Sequence, residues 1–288
     1  MTLRFKDHGE PVKRLQRNLN KLGSILLVDG DFGPGTRDAV LDARTALSIT
    51  PSASAGAARA PAGADAVDPA DADDALQAAL AAFPDPFPAL TAAGVTFIAR
   101  LEVGSPRQYR LLYRHPEWPG ESSGITIGIG YDLKFVRRAE FEADWPAVPA
   151  AVVNQLVPVF GVTGSESLRA TVADLDFPLE MAMKVFIGRT LPEFLRKTRA
   201  IYPQVAALPP ARAASLVSLV YNRGADLEGD RRREMREIQR LLAAGNLDNV
   251  PDQIEAMVRL WDPRSGLVSR RHDEARLWRS GFAALQLD

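Results

Sequence analysis

The sequence predicts an α+β protein: a large, mainly α domain with one small β-region, preceded by a small three-helix unit. Three observations predict it. Apolar residues recur at helical spacing near both ends of the chain, one short stretch alternates instead, and one segment loses its large apolar side chains. The alternating stretch is "GITIGIGYDL", Gly124 to Leu133. It sets Ile125, Ile127, Ile129 and Tyr131 on one face and Thr126, Gly128, Gly130 and Asp132 on the other. The depleted segment is 51–75, where Val67 is the only large apolar residue. Such a segment cannot bury enough surface to offset its ordering entropy.

Segment 51–75 reads as a tether, extended by its prolines and like-charged aspartates. A weak Ala-rich helix near Asp73 to Ala82 is the alternative for its last part. The expected organisation is a first unit over 1–50, a linker over 51–88 and a large domain over 89–288.

In the first unit Val12, Leu15, Leu19 and Leu22 share a helix face, and Gly23 supplies a stop. Asp29-Gly30 and Gly33-Pro34-Gly35 are turn signals. Thr36 is then expected to cap a second helix running to Leu47, with Ala39, Val40, Ala43 and Leu47 turned inward. In the large domain the helical candidates are Thr91–Glu102, Arg212–Tyr221, Arg233–Ala244, Asp252–Leu260 and Ser269–Trp278. Helices on either side of a small β-region suggest strands gathered at one edge.

At 288 residues, with 46% hydrophobic and 25% charged residues, the chain is in the ordinary globular range. A net charge of -1 makes no case for a nucleic-acid partner. The absence of cysteine excludes disulfides and cysteine metal sites. No apolar run reaches the roughly 18 to 20 residues of a membrane span. The start "MTLRFKDHGEP" has no apolar core of a secretory signal, so the expectation is cytoplasmic synthesis, with release or injection by other means if the protein acts outside. A monomer with no cofactor and no metal is expected.

Glu102 is the first candidate for chemistry. Val95, Ile98 and Glu102 fall at i, i+3 and i+7, so this carboxyl lies on the apolar stripe of its helix. It also sits in the last turn before Gly104, where the helix dipole disfavours negative charge. Both conditions favour a carboxyl that keeps its proton, as a general acid must. Thr126 and Asp132 share the other face of the alternating stretch. Fully extended, they would stand about 20 Å apart. Two carboxyls working on one glycosidic bond through a water stand only about 6.5 to 9.5 Å apart. Joint action therefore requires the strand to fold back, and Gly128 and Gly130 permit that while leaving an open floor.

The first-unit residues Gly9, Val12, Leu15-Gln16, Leu19, Gly23, Asp29-Gly30, Phe32-Gly33, Thr36 and Ala39-Val40 resemble the peptidoglycan-binding domain of many cell-wall hydrolases. The resemblance implies wall binding, with Asp29, Phe32 and Thr36 as candidate contacts. It departs where the family usually carries an aromatic followed by Gln, since this chain has Ala43-Arg44. The helix-borne Glu followed by Thr in a "TIGIGYD" strand resembles the phage-type, T4-lysozyme-like muramidases. Most of that family places an acid about six residues before the Thr. Gly120 stands there in this chain, and Glu121 is one residue off. An acid six residues after the Thr resembles the pesticin-like branch, whose Glu, Thr and Asp map onto Glu102, Thr126 and Asp132. "SLVSLVYNRG" and "GLVSRRHDEARLW" are similar to later helices of the family, leaving an unmatched insert near 134–205.

The resemblance implies hydrolysis of the β-1,4 bond between N-acetylmuramic acid and N-acetylglucosamine. Glu102, Asp132 and Thr126 would be catalytic; Asn222, Tyr131, Gly128 and Gly130 would meet substrate. A phage endolysin, an injected effector or a lytic transglycosylase all fit that implication. Other motifs are weaker. "GESSG" around Ser122 lacks the strand-before, helix-after setting of a nucleophile elbow. "GIGYDL" lacks the third glycine of a dinucleotide fingerprint, and His8, His115 and His272 have no metal spacing. The run "RRREMR", Arg231 to Arg236, reads as a solvated face or a contact for anionic wall polymers.

Overall fold

The computed structural model describes residues 1–51 and 68–282. The first unit holds three helices, α1 (Glu10–Asn20), α2 (Pro34–Leu47) and α3 (Asp74–Ala82). Their apolar faces close on one core that includes Leu3, Val12, Leu19, Phe32, Val40, Leu76 and Leu80. Gly33 is the residue that starts α2, with Pro34 in its first turn. Thr36 is buried inside that turn and is not its cap, because its hydroxyl donates to Asp31 O at 3.3 Å.

The linker expected over 51–88 is shorter at its far end. Residues 52–67 lie outside the described residues, but 69–82 belong to the first unit. Leu3 and Ala72 exchange backbone hydrogen bonds at 3.0 and 2.8 Å. Arg44 explains why this stretch is held. Its guanidinium donates to Pro69 O at 2.8 Å and Asp71 O at 2.7 Å, and pairs with Asp73 at 2.9 Å. Asp73 in turn caps α3 by accepting from Leu76 N. The residue that departs from the wall-binding pattern is thus the clamp for the third helix. The first unit also docks on the large domain: α1 packs against α4 (Thr91–Val103), and Arg100 Nη1 donates to Ile25 O at 3.1 Å.

The large domain is mainly α. After α4 come α5 (Pro106–Gln108) and a π turn, Tyr109–Tyr113. A two-stranded antiparallel hairpin follows, β1 (Thr126–Ile127) and β2 (Tyr131–Asp132). The insert then forms α6 (Arg138–Asp144), α7 (Ala150–Leu156), α8 (Glu166–Val172), α9 (Leu179–Val185) and α10 (Leu191–Ile201). The chain closes with α11 (Pro210–Arg223), α12 (Arg233–Ala243), α13 (Val250–Ala256) and α14 (Gly266–Ser280). α11 is central, touching α4, α10 and α14, and its residues 213–220 are all buried. The insert is not an appendage, because Phe141, Trp145 and Phe177 back the hairpin's apolar face.

Candidate active site

α4 carries Glu102 to its last turn, and Gly104 at φ +73° ends the helix there. Arg270 of α14 reaches across and donates from Nη1 to Glu102 Oε1 at 2.6 Å. The side chain of Arg270 is only 6% exposed, whereas that of Glu102 is 22% exposed. Arg270 also donates to Glu274 Oε1 at 3.2 Å and to the carbonyl and hydroxyl of Ser218, both at 3.1 Å. Burial works against the Arg270 charge, but Glu102 and then Glu274 outweigh it and raise its pKa. Glu274 is fully buried, and Ser218, Arg270 and Arg271 all donate to its Oε1. This buried network fixes one oxygen of Glu102. Its Oε2 has no hydrogen-bond partner among the described residues.

The strand folds back as the glycines permit. Gly128 and Gly130 take φ of +60° and +66°, and the hairpin pairs Thr126 with Asp132 and Ile127 with Tyr131. Directly paired residues point to one face, so Thr126 and Asp132 stand side by side rather than a strand length apart. On its other edge Thr126 pairs with Glu117, the two exchanging backbone bonds at 2.9 and 2.8 Å. The floor is not open. A Cβ on Gly128 would stand 2.9 Å from the Trp145 ring, and one on Gly130 would stand 2.6 Å from the Tyr221 hydroxyl. Both glycines make close packing possible; Gly128 is buried and offers no surface for a ligand, whereas Gly130 stays exposed at the turn.

Asp132 has a structural job. Its Oδ1 accepts from Lys134 N at 2.8 Å and from Gly124 N at 3.1 Å, capping the short turn Leu133–Phe135. Tyr131 is turned away from Thr126 into the core, 5.5 Å from the Trp145 ring centre, and its hydroxyl donates to Asp144 at 2.7 Å. It is therefore not available to a substrate, because β2 alternates its faces. Glu121 is exposed, in a turn at φ +49°. Asn222 ends α11 half-buried, accepting from Arg271 Nη2 at 3.2 Å. Ser122 is exposed, and its carbonyl accepts from Lys134 Nζ at 2.6 Å.

Three neighbours were missed by the sequence reading. Glu117 is half-buried, and burial raises its pKa. Tyr113 feels both acids: burial raises its pKa, and the charges of Glu117 and then Glu102 add to the effect. Tyr221 donates to Ile129 O at 3.2 Å and tethers the hairpin turn to α11, beside Glu102. No periodicity marks these residues. Only "PEW" beside "GIT" hinted at a strand partner.

In the first unit the candidate contacts serve the fold. Gln16 is the hub, donating to Asp29 at 2.7 Å, Asp31 O at 3.1 Å and Thr36 Oγ1 at 3.2 Å. Phe32 and Thr36 are buried, so they shape the turn and cannot touch a polymer. Asp29 is exposed, yet its Oδ1 is shared by Gln16 and Asp31 N.

Residues 8–57 match a family model described as "Putative peptidoglycan binding domain". The match supports a peptidoglycan-binding domain in the first unit, and such a domain suggests a cell-wall-associated protein. A comparison with curated proteins gives no match. Peptidoglycan is the partner that this domain indicates. Among the described residues no helix is long and apolar enough to cross a membrane, and no group of three His, Cys, Asp or Glu could hold a metal.

Proposed function

We propose that the protein is a modular peptidoglycan hydrolase with a lysozyme-like muramidase domain over 89–288. The observation that carries this reading is the joint setting of Glu102 and the hairpin. An arginine-held carboxyl with one open oxygen stands on a helix end, and Tyr221 ties that region to a turn that pairs Thr126 with Asp132. Glu102 donates its proton to the glycosidic oxygen as the C1–O bond breaks. A water held by Thr126 then adds to C1, and its proton passes to a carboxylate on the hairpin face. No metal or organic cofactor enters this scheme. The enzyme meets the wall after release as an endolysin or after injection.

Asp132 and Glu117 flank Thr126, and a second reading of the water-side group rests on that. Asp132 is already engaged by two backbone N–H groups, whereas Glu117 has no side-chain hydrogen bond among the described residues. Mass spectrometry of wall digests tests the reaction class. Reducing N-acetylmuramic acid ends are expected. Ends lighter by one water, the 1,6-anhydro form, would identify a lytic transglycosylase instead.

A further inference from the structure

The run Arg231 to Arg236 separates into two groups in the fold. Arg233 pairs with Glu234, and Arg236 donates to the carbonyls of Leu227 and Gly229. Arg231, Arg232 and Arg223 have no carboxylate partner among the described residues, and Arg232 Nη1 donates only to Met235 Sδ at 3.7 Å. Arg223 donates to Arg231 O, and its guanidinium stands 5.2 Å from the Trp261 ring centre. Arg271 lies 5.6 Å from the same ring, fully buried, and donates to Asn222. Three buried nitrogens here, Arg223 Nε, Arg271 Nε and Arg271 Nη1, have no hydrogen-bond partner among the described residues, although Arg271 Nε stands 2.9 Å from Glu274 Oε2. Burial, then the charges of Arg232, Arg271 and Arg231, push the Arg223 pKa down to about 10. Arg271 is balanced by Glu274, but the half-buried Arg223 and Arg232 and the exposed Arg231 leave this corner with more positive charge than its carboxylates pair, open to an anion from solvent.

The corner also adjoins the proposed chemistry. Arg271 follows Arg270, the residue that holds Glu102, and Asn222 follows Tyr221, which ties down the hairpin turn. We propose that Arg223, seated on Trp261 and bonded to the backbone of the Arg231–Arg232 turn, forms with that turn a subsite for a carboxylate of the peptide carried by the glycan strand. The inference rests on the muramidase reading and adds what that reading lacks, a means of recognising the strand's anionic substituent. Trp261 holds the guanidinium planes by cation–π contact, and the buried Arg271 adds charge from behind. Guanidinium groups suit the role because they present planar paired donors to a carboxylate.

The test is calorimetric titration of the full chain with a disaccharide-tetrapeptide of the wall and with the same molecule after amidation of its peptide carboxylates. Lysis of sacculi is measured in parallel. About tenfold tighter binding of the free-carboxylate form is expected, the size of one good charge-assisted contact. The preference should vanish in Arg223→Gln, in Arg231→Gln/Arg232→Gln, and at high salt, while the amidated form binds all proteins alike. The double variant alters exposed or half-exposed side chains, so its fold is not at stake. Equal wild-type affinity for both forms, with lysis intact, would overturn the subsite alone, as would a preference that survives in both variants. Absence of lysis and of binding to either form would overturn the muramidase reading with it. Tighter binding of inorganic phosphate than of the free-carboxylate form would reject the peptide carboxylate as the ligand.

Discussion

Arg44 and Arg270 are equally buried and each faces a carboxylate, yet the two pairs differ in what they leave open. Arg44 and Asp73 are 5% and 3% exposed, and Arg44 Nε and Nη2 also donate to backbone carbonyls of the same segment. Arg270 is 6% exposed, but its partner Glu102 is 22% exposed and keeps one oxygen unused. A pair closed on both sides can only hold chain together. A pair that anchors one oxygen and presents the other is positioned for chemistry, because the anchor fixes geometry without consuming the reacting atom.

The sharpest way to break this contrast is at the carboxylates. Glu102→Gln should lower wall lysis by about 10²- to 10⁴-fold, since the amide cannot donate the proton. Its melting temperature should move little, because Gln still accepts from Arg270. Turbidity clearance near the wild-type rate would remove Glu102 from the mechanism.

Arg44→Ala tests the closed pair. Removing one partner of a buried pair costs about 3 to 5 kcal/mol, here by stranding Asp73 at the start of α3. Thermal unfolding and proteolysis between 68 and 82 should report it. Sacculus binding should weaken while cleavage of soluble glycan persists. A loss of cleavage equal to the loss of binding would show that the first unit acts on the site through α4.

Asp132→Asn and Glu117→Gln sharpen the open side. The group that takes the water's proton should lose about 10²-fold or more in rate when neutralised. The other should stay within a few-fold. Glu117 also makes a stability prediction with a definite sign. Burial raises its folded pKa above that of a free glutamate, so the folded state binds more protons and stability falls as pH rises through that window. Glu117→Gln removes this loss, so the variant should melt higher than wild type at pH 7 and show no advantage near pH 3. An equal difference at both pH values would mean that Glu117 is not desolvated.

The smallest effect is expected at Tyr131. Tyr131→Phe loses one hydrogen bond to Asp144, about 1 kcal/mol, and should leave lysis unchanged. A drop in activity without a drop in melting temperature would return Tyr131 to the substrate surface.

Much of this was legible in the sequence, and the reasons are local. Periodicity located α4, α11, α12 and α14 to within a few residues, because an apolar stripe needs only neighbours in the chain. The glycine spacing of "TIGIGYD" implied a strand folded back on itself, and the hairpin registers Thr126 on Asp132 as that required. Composition misjudged 69–82 because its retention depends on Arg44, a residue 25 to 29 positions earlier. Alternation had already put Tyr131 on the apolar face, and its assignment to substrate came from the family likeness, not from the strand.

By itself the sequence determined the helices on either side of the hairpin and its insert, where the chain reverses at the hairpin, and that a carboxyl ends an apolar stripe at Glu102. Those properties follow from propensity, turn chemistry and spacing within about ten residues. Only the tertiary structure decided what each polar group faces. Arg270 meets Glu102 across a separation of 168 residues, and Tyr221 meets Ile129 across 92. Burial and pairing at such distances depend on how helices pack, and no local pattern in the chain encodes them.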